Sequence, residues 1–89
     1  MKEIEVEIKN KAGLHARPSA LMVQIASNYE SEITLITAGE KVNGKSIMGL
    51  MLLAAEKGRR IIIKADGEDE DEALAALQKL IEVDTFNEE

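Results

Sequence analysis

Ile4, Val6 and Ile8 alternate with Glu3, Glu5 and Glu7, and a period of two marks a strand with one face buried and the other in water. Asn10 to Gly13 reads as a turn. The period then lengthens: Pro18, Leu21, Met22, Ile25 and Tyr29 recur at helical spacing. They predict a helix from about Ala16 to Ser27, with Pro18 in the first turn, where an amide hydrogen would have no partner anyway. Glu32 to Thr37 reads as a second strand, and Ala38-Gly39 allows a tight turn into a short third one around Lys41 to Asn43. Ser46 can cap a short helix running to about Ala55, which Lys57-Gly58 ends. Arg59 to Ala65 is a fourth strand. Asp69 or a neighbour caps a last helix, whose Ala73, Leu74, Leu77, Leu80 and Ile81 form one apolar face.

The order βαββαβα predicts an α+β fold of two layers, a sheet with helices on one face. The other face then lies in water, which suits the three early glutamates. Ile36 and Ile62 fall on that same wet side if Leu35, Ile61 and Ile63 point inward, and the pattern gives no reason for it.

Composition narrows the class. A chain of 89 residues fills one small domain, 1–89, with a radius of gyration of about 12 Å. Tyr29 and Phe86 are the only aromatics, so the core is expected to be Ile, Leu, Val, Met and Ala. Without cysteine there is no disulfide framework and no thiolate zinc site. No apolar run reaches about 18 residues, so no membrane insertion is expected, and the charged N-terminus is unlike a secretory signal. These features predict a soluble cytoplasmic domain.

A net charge of -6 argues against direct nucleic-acid binding. The charge is uneven, however. Lys9, Lys11 and Arg17 are the only charges from Ile8 to Tyr29, and Lys41 and Lys45 the only ones from Lys41 to Ala55. Two basic segments in an acidic chain point to a small anion or an acidic partner.

The first basic segment contains GLHARPS, Gly13 to Ser19, with the chain's only histidine and only proline. A His15 placed just before a helix meets outward-pointing amides and the positive end of the macrodipole. That is an anion site made of backbone. Arg17 adds a fork suited to phosphate. The same positive field disfavours imidazolium and favours the neutral, nucleophilic ring. The combination describes a histidine that accepts a phosphoryl group. A loop histidine with only a capping role is the plainer alternative.

The short second helix is apolar all round. Leu50, Leu53 and Ala54 share one arc, assigned to the core, which leaves Ile47, Met48, Met51 and Leu52 exposed. Exposed methionine-bearing patches mark adaptable protein-binding surfaces. With Ala16, Ala20, Gln24 and Ser27 of the first helix they would form a flat contact surface, with His15 at its edge.

GEKVNGKS, Gly39 to Ser46, fits the phosphate-cradling pattern GxxxxGK[ST], so a nucleotide-binding P-loop protein is the rival from another class. The chain is too short for the parallel sheet around such a loop. Glu40, Lys41 and Val42 also suit a hairpin strand better than a backbone cradle. Ser46 has another use: phosphorylated at a helix N-cap, it would bring about two negative charges to the edge of the exposed patch.

Gly13-Leu14-His15-Ala16-Arg17-Pro18-Ser19-Ala20, Asn43-Gly44-Lys45-Ser46-Ile47-Met48-Gly49 and ADGEDEDEAL, Ala65 to Leu74, together resemble the HPr family. Its members are the histidine-containing phosphocarriers of the bacterial phosphoenolpyruvate-dependent sugar phosphotransferase system. The similarity runs over essentially the whole chain. It implies an open-faced β-sandwich with a four-stranded antiparallel sheet and three helices on one face. It implies that His15 takes a phosphoryl group on Nδ1 from enzyme I and passes it to enzyme IIA domains, with Arg17 steadying the phosphate. The carrier would be a monomer and not itself an enzyme, with no metal and no cofactor. The resemblance further implies regulatory phosphorylation of Ser46 by an HPr kinase/phosphorylase, read by a catabolite-control transcription factor. A nitrogen-system phosphocarrier paralogue would look similar. His15 sets the chain apart from serine-regulated relatives that lack the active histidine. Departures are Gln24 and Ser27, where enteric members carry lysines, and Ser19 in place of a common alanine, which is expected to be harmless.

Overall fold

The computed structural model describes residues 1–88. Among these, strand β1 (Lys2–Glu7) leads to helix α1 (Ala16–Ala26), a hairpin of β2 (Glu32–Thr37) and β3 (Glu40–Asn43), helix α2 (Ile47–Leu52), strand β4 (Arg60–Asp66) and helix α3 (Glu70–Gln78). A π-helical turn, Lys79–Val83, and a 3-10 turn, Thr85–Asn87, follow. The four strands form one antiparallel sheet, as expected, and their order within it is β1-β4-β2-β3. No helix among the described residues is long and apolar enough to cross a membrane.

Register decides which side chains meet. Ile4 lies opposite Ile63, Ile63 opposite Leu35, and Leu35 opposite Val42, a row on the inner face. One residue along, Glu5, Ile62, Ile36 and Lys41 form the matching outer row. Ile36 and Ile62 are therefore direct cross-strand neighbours. Each covers the other, which leaves both half-buried on a face otherwise open to water; such pairs contribute about 0.2–1 kcal/mol. The outer glutamates are matched too. Arg60 lies 3.3 Å from Glu5 and 3.6 Å from Glu7, and Lys64 3.8 Å from Glu3.

The inner face meets Met22 and Ala26 of α1, Leu50 of α2, and Ala73, Leu74, Leu77, Leu80 and Ile81 at the C-terminal end. The aliphatic core is as expected except at Phe86, a fully buried side chain. Residues 84–88 fold back against the domain. Thr85, Phe86 and Asn87 all take left-handed φ, 51°, 54° and 60°, and turn the tail back onto the core.

Helix α2 is shorter than the sequence predicts. It stops at Leu52, not near Ala55, and Ala54, assigned to the core, is exposed with φ 50°. The reversal at Ala54 sends the next carbonyl toward the chain before α1: Leu14 N donates to Ala55 O at 2.9 Å. Gly13 is required at that crossing. Its φ is 74°, and a Cβ there would stand 2.3 Å from the same carbonyl. Asp69 precedes α3, but its side chain does not cap it. Its carboxylate accepts the Ser31 hydroxyl and the amides of Glu30 and Ser31, at 2.8 and 3.0 Å for the amides. These donors, the hydroxyl foremost, hold its pKa below the usual value.

Candidate functional site

His15 is the N-cap of α1, with extended backbone (φ -91°, ψ -166°). Two fixtures place it: buried Leu14 on the Ala55 carbonyl before it, and fully buried Pro18 after it. Its own carbonyl accepts Ser19 N at 3.0 Å, while its ring caps nothing. Pro18 has no amide hydrogen, so the free donors of the first turn are the amides of Ala16 and Arg17. Arg17 is exposed and makes no ion pair among the described residues.

The imidazole is 43% exposed and is held from one side only. Its Nε2 lies 3.2 Å from Glu88 Oε2 and 3.5 Å from Oε1. Glu88 is held in turn by Asn10, whose Nδ2 donates to Glu88 Oε1 at 3.1 Å and to Gly13 O at 2.8 Å. Both of those partners are acceptors, which fixes the orientation of the Asn10 amide. A carboxylate can only accept, so Nε2 carries the hydrogen whenever the neutral ring makes this bond, and the lone pair sits on Nδ1. Nδ1 has no hydrogen-bond partner among the described residues. The arrangement is an available ring nitrogen on a residue followed in sequence by two free amides and an unpaired guanidinium, on an open surface. A groove of about 390 Å³ lies at the β2–β3 edge against Ile33, Val42 and Lys45 and touches neither His15 nor Arg17.

Comparison with known proteins shows the family of the chain. A family model described as the PTS HPr component phosphorylation site matches residues 2–83. The chain belongs to the HPr family. Members are phosphocarriers of the phosphotransferase system. The phosphocarrier protein HPr of Xylella fastidiosa (strain Temecula1) is 52% identical over 89 residues, covering 100% of this chain and 99% of that one. A crystal structure of HPr-C-His from Thermoanaerobacter tengcongensis superposes with a TM-score of 0.94 at 53% identity, covering 100% and 99%. A crystal structure of the Bacillus subtilis catabolite-repression protein Crh, described as a swapped dimer, matches with a TM-score of 0.75 at 47% identity, covering 93% and 95%.

The segment Asn43 to Gly49 forms the N-terminus of α2. Ser46 is its N-cap, and its Oγ accepts Gly49 N at 3.0 Å. Lys45 does not reach toward Ser46; its Nζ donates to Tyr29 O at 2.7 Å. Glu40–Asn43 spend their backbone pairing with β2, so GEKVNGKS is a hairpin and not a phosphate cradle. A Cβ on Gly44 would stand 2.5 Å from Ile33, a packing need that accounts for that glycine. Ile47, Met48, Met51 and Leu52 are exposed, as the helical wheel predicts, and Leu50 and Leu53 are buried. Helix α2 packs against α1, whose Ala16, Ala20, Gln24 and Ser27 are exposed as well.

Ser19 is less innocent than its exchange for alanine implies. It is fully buried, and its hydroxyl finds no partner among the described residues, so the oxygen opposes folding. The sequence reading missed Asn10 and Glu88. Asn10 lies in the turn it identified, where a buried side-chain amide carries no separate signal. Glu88 is 73 positions from His15, and no local pattern links them.

Proposed function

We propose that His15 Nδ1 accepts a phosphoryl group from the phosphohistidine of enzyme I and donates it to enzyme IIA domains in phosphoenolpyruvate-dependent sugar uptake. The observation that carries this reading is the ring itself. Its Nε2 is engaged by Glu88, its Nδ1 has no partner among the described residues, and His15 is the N-cap residue that precedes the free first-turn amides of α1. Arg17 is the residue we assign to the charge of the transferring group. The working unit is one carrier domain, a cytoplasmic monomer, and the chemistry of transfer belongs to the histidines of donor and acceptor.

The same reading assigns the docking face to Ala16, Ala20, Gln24 and Ser27 together with Ile47, Met48, Met51 and Leu52. Ser46 lies at its edge. Phosphorylation there, by an HPr kinase/phosphorylase, would place a dianion beside an apolar contact surface and present a new anionic face to a catabolite-control transcription factor.

The deciding experiment incubates the protein with enzyme I and phosphoenolpyruvate and follows intact mass. One phosphoryl group, acid-labile and alkali-stable, is expected on the wild type. His15→Ala is expected to accept none and to keep its fold, since no second histidine exists and the ring makes no helix-capping bond. Equal phosphorylation of the alanine variant would overturn the reading.

A further inference from the structure

Glu88 lies outside residues 2–83, the segment that the family model matches. Its place in the fold is nonetheless well defined. Phe86 anchors the tail in the core. Three consecutive left-handed residues, none of them glycine, then turn the chain toward α1, a conformation disfavoured for L side chains. Asn87 N donates to Asp84 O at 2.8 Å and Glu88 N to Thr85 O at 2.9 Å, which close the turn. Burial of Phe86 accounts for the path of the backbone. It does not account for the end of the path, where a buried asparagine and the imidazole both hydrogen-bond one carboxylate.

We propose that Glu88 is a positioning residue for phosphoryl transfer, which fixes the Nε2–H form of His15 and stabilises the positive charge that the ring gains when Nδ1 is phosphorylated. This rests on the carrier reading above. In the loading step the Nδ1 lone pair forms a P–N bond to the incoming phosphorus. The donor's own P–N bond breaks, and that electron pair returns to the donor ring. No proton has to move. The His15 ring keeps its Nε2 hydrogen and, having shared its lone pair, becomes a phosphorylated imidazolium. The positive charge is shared with Nε2–H, the group that faces Glu88. A hydrogen bond from a neutral donor becomes a charge-assisted one at that moment. The logic is that of a carboxylate holding the far nitrogen of a reacting histidine, with Asn10 holding the carboxylate.

Two variants separate charge from orientation. Glu88→Gln keeps an acceptor for Nε2–H and removes the charge; Glu88→Ala removes both. With enzyme I, phosphoenolpyruvate and pyruvate at a fixed ratio, the loaded-to-free ratio of Glu88→Gln is expected to fall about threefold to fivefold, the scale of a half-exposed ion pair. Glu88→Ala is expected to fall at least as far and to load more slowly than Glu88→Gln. Proton-detected ¹⁵N spectra of the phosphorylated proteins give a second readout. The Nε2–H signal should be downfield and slow to exchange in the wild type, shifted upfield in Glu88→Gln, and lost to exchange in Glu88→Ala. A normal loading ratio for Glu88→Gln, or an Nε2–H signal identical in all three proteins, would overturn this proposal and leave the carrier reading standing. Failure of the wild type to load at all would overturn both.

Discussion

His15 and Ser46 occupy equivalent places, each the N-cap of a helix with extended backbone. Their side chains are employed in opposite ways. Ser46 Oγ closes its own helix by accepting the Gly49 amide. The His15 ring makes no capping bond to its helix and is held by Glu88, 73 positions along the chain. A side chain spent on a cap contributes to stability and stays quiet until something modifies it. One kept off the cap is free to react, but its orientation must come from somewhere else. The first helix also begins with fewer donors, because Pro18 supplies no amide. Its exposed neighbour Arg17 lies close to His15 in sequence, while the corresponding cation of the second helix, Lys45, is tied to Tyr29.

The contrast breaks most sharply at Arg17. Arg17→Ala removes no ion pair among the described residues, so the thermal midpoint should not move. Single-turnover transfer into and out of His15 should slow by about a hundredfold at saturating partner, the loss of roughly 3 kcal/mol of stabilisation of developing charge. Rates within threefold of wild type would remove Arg17 from the transfer step and leave the amides of α1 as the phosphate's only fixed partners on this chain.

How much of this contrast was legible in the sequence depends on distance along the chain. The strands, their succession along the chain and the two helix starts follow from local periodicity and turn residues. So does the Ser46 cap, which needs only four consecutive residues. The end of α2 was misplaced because Ala54 reverses the chain in a left-handed conformation that alanine does not advertise. The placement of Phe86 was missed for the same reason, since three ordinary residues adopt the turn that glycine would signal. The outward Ile36 and Ile62 make sense only once register sets them side by side. At the site, His15 and Arg17 stand out through their types and spacing. Asn10 and Glu88 do not, because their bond joins the two ends of the chain.

Ser46 sharpens the comparison from the other side. Ser46→Ala should cost about 1 kcal/mol in denaturant unfolding, the usual worth of an N-cap. It should leave the loading of His15 unchanged. His15→Ala should show the reverse, with loading abolished and stability within about 0.5 kcal/mol of wild type. Ser46→Asp keeps an acceptor at the cap and adds a charge at the favourable helix end, so stability should hold or rise by up to about 1 kcal/mol. Loading by enzyme I should slow, because the partner meets a new anion in an apolar contact. An unaltered rate for Ser46→Asp would place the docking surface elsewhere.

The smallest expected effect tests whether α2 serves docking at all. Met48 is 74% exposed, and it lies two residues after the capping serine on the face away from buried Leu50. Met48→Ala removes apolar surface that the folded chain does not use, so its unfolding free energy should change by less than about 0.5 kcal/mol. If the exposed arc is a contact surface, the same change should raise the half-saturating concentration of enzyme I about threefold, the loss of under 1 kcal/mol expected of an ordinary interface residue. The transfer rate at saturation should stay unchanged, since Met48 is assigned to docking and not to transfer. Stability and saturation curves for this one variant therefore separate three roles. A large stability loss would put the side chain in the core. A lower saturating rate would tie it to the transfer step. A raised half-saturation alone would assign the exposed face of α2 to the partner, with His15 presented at its edge.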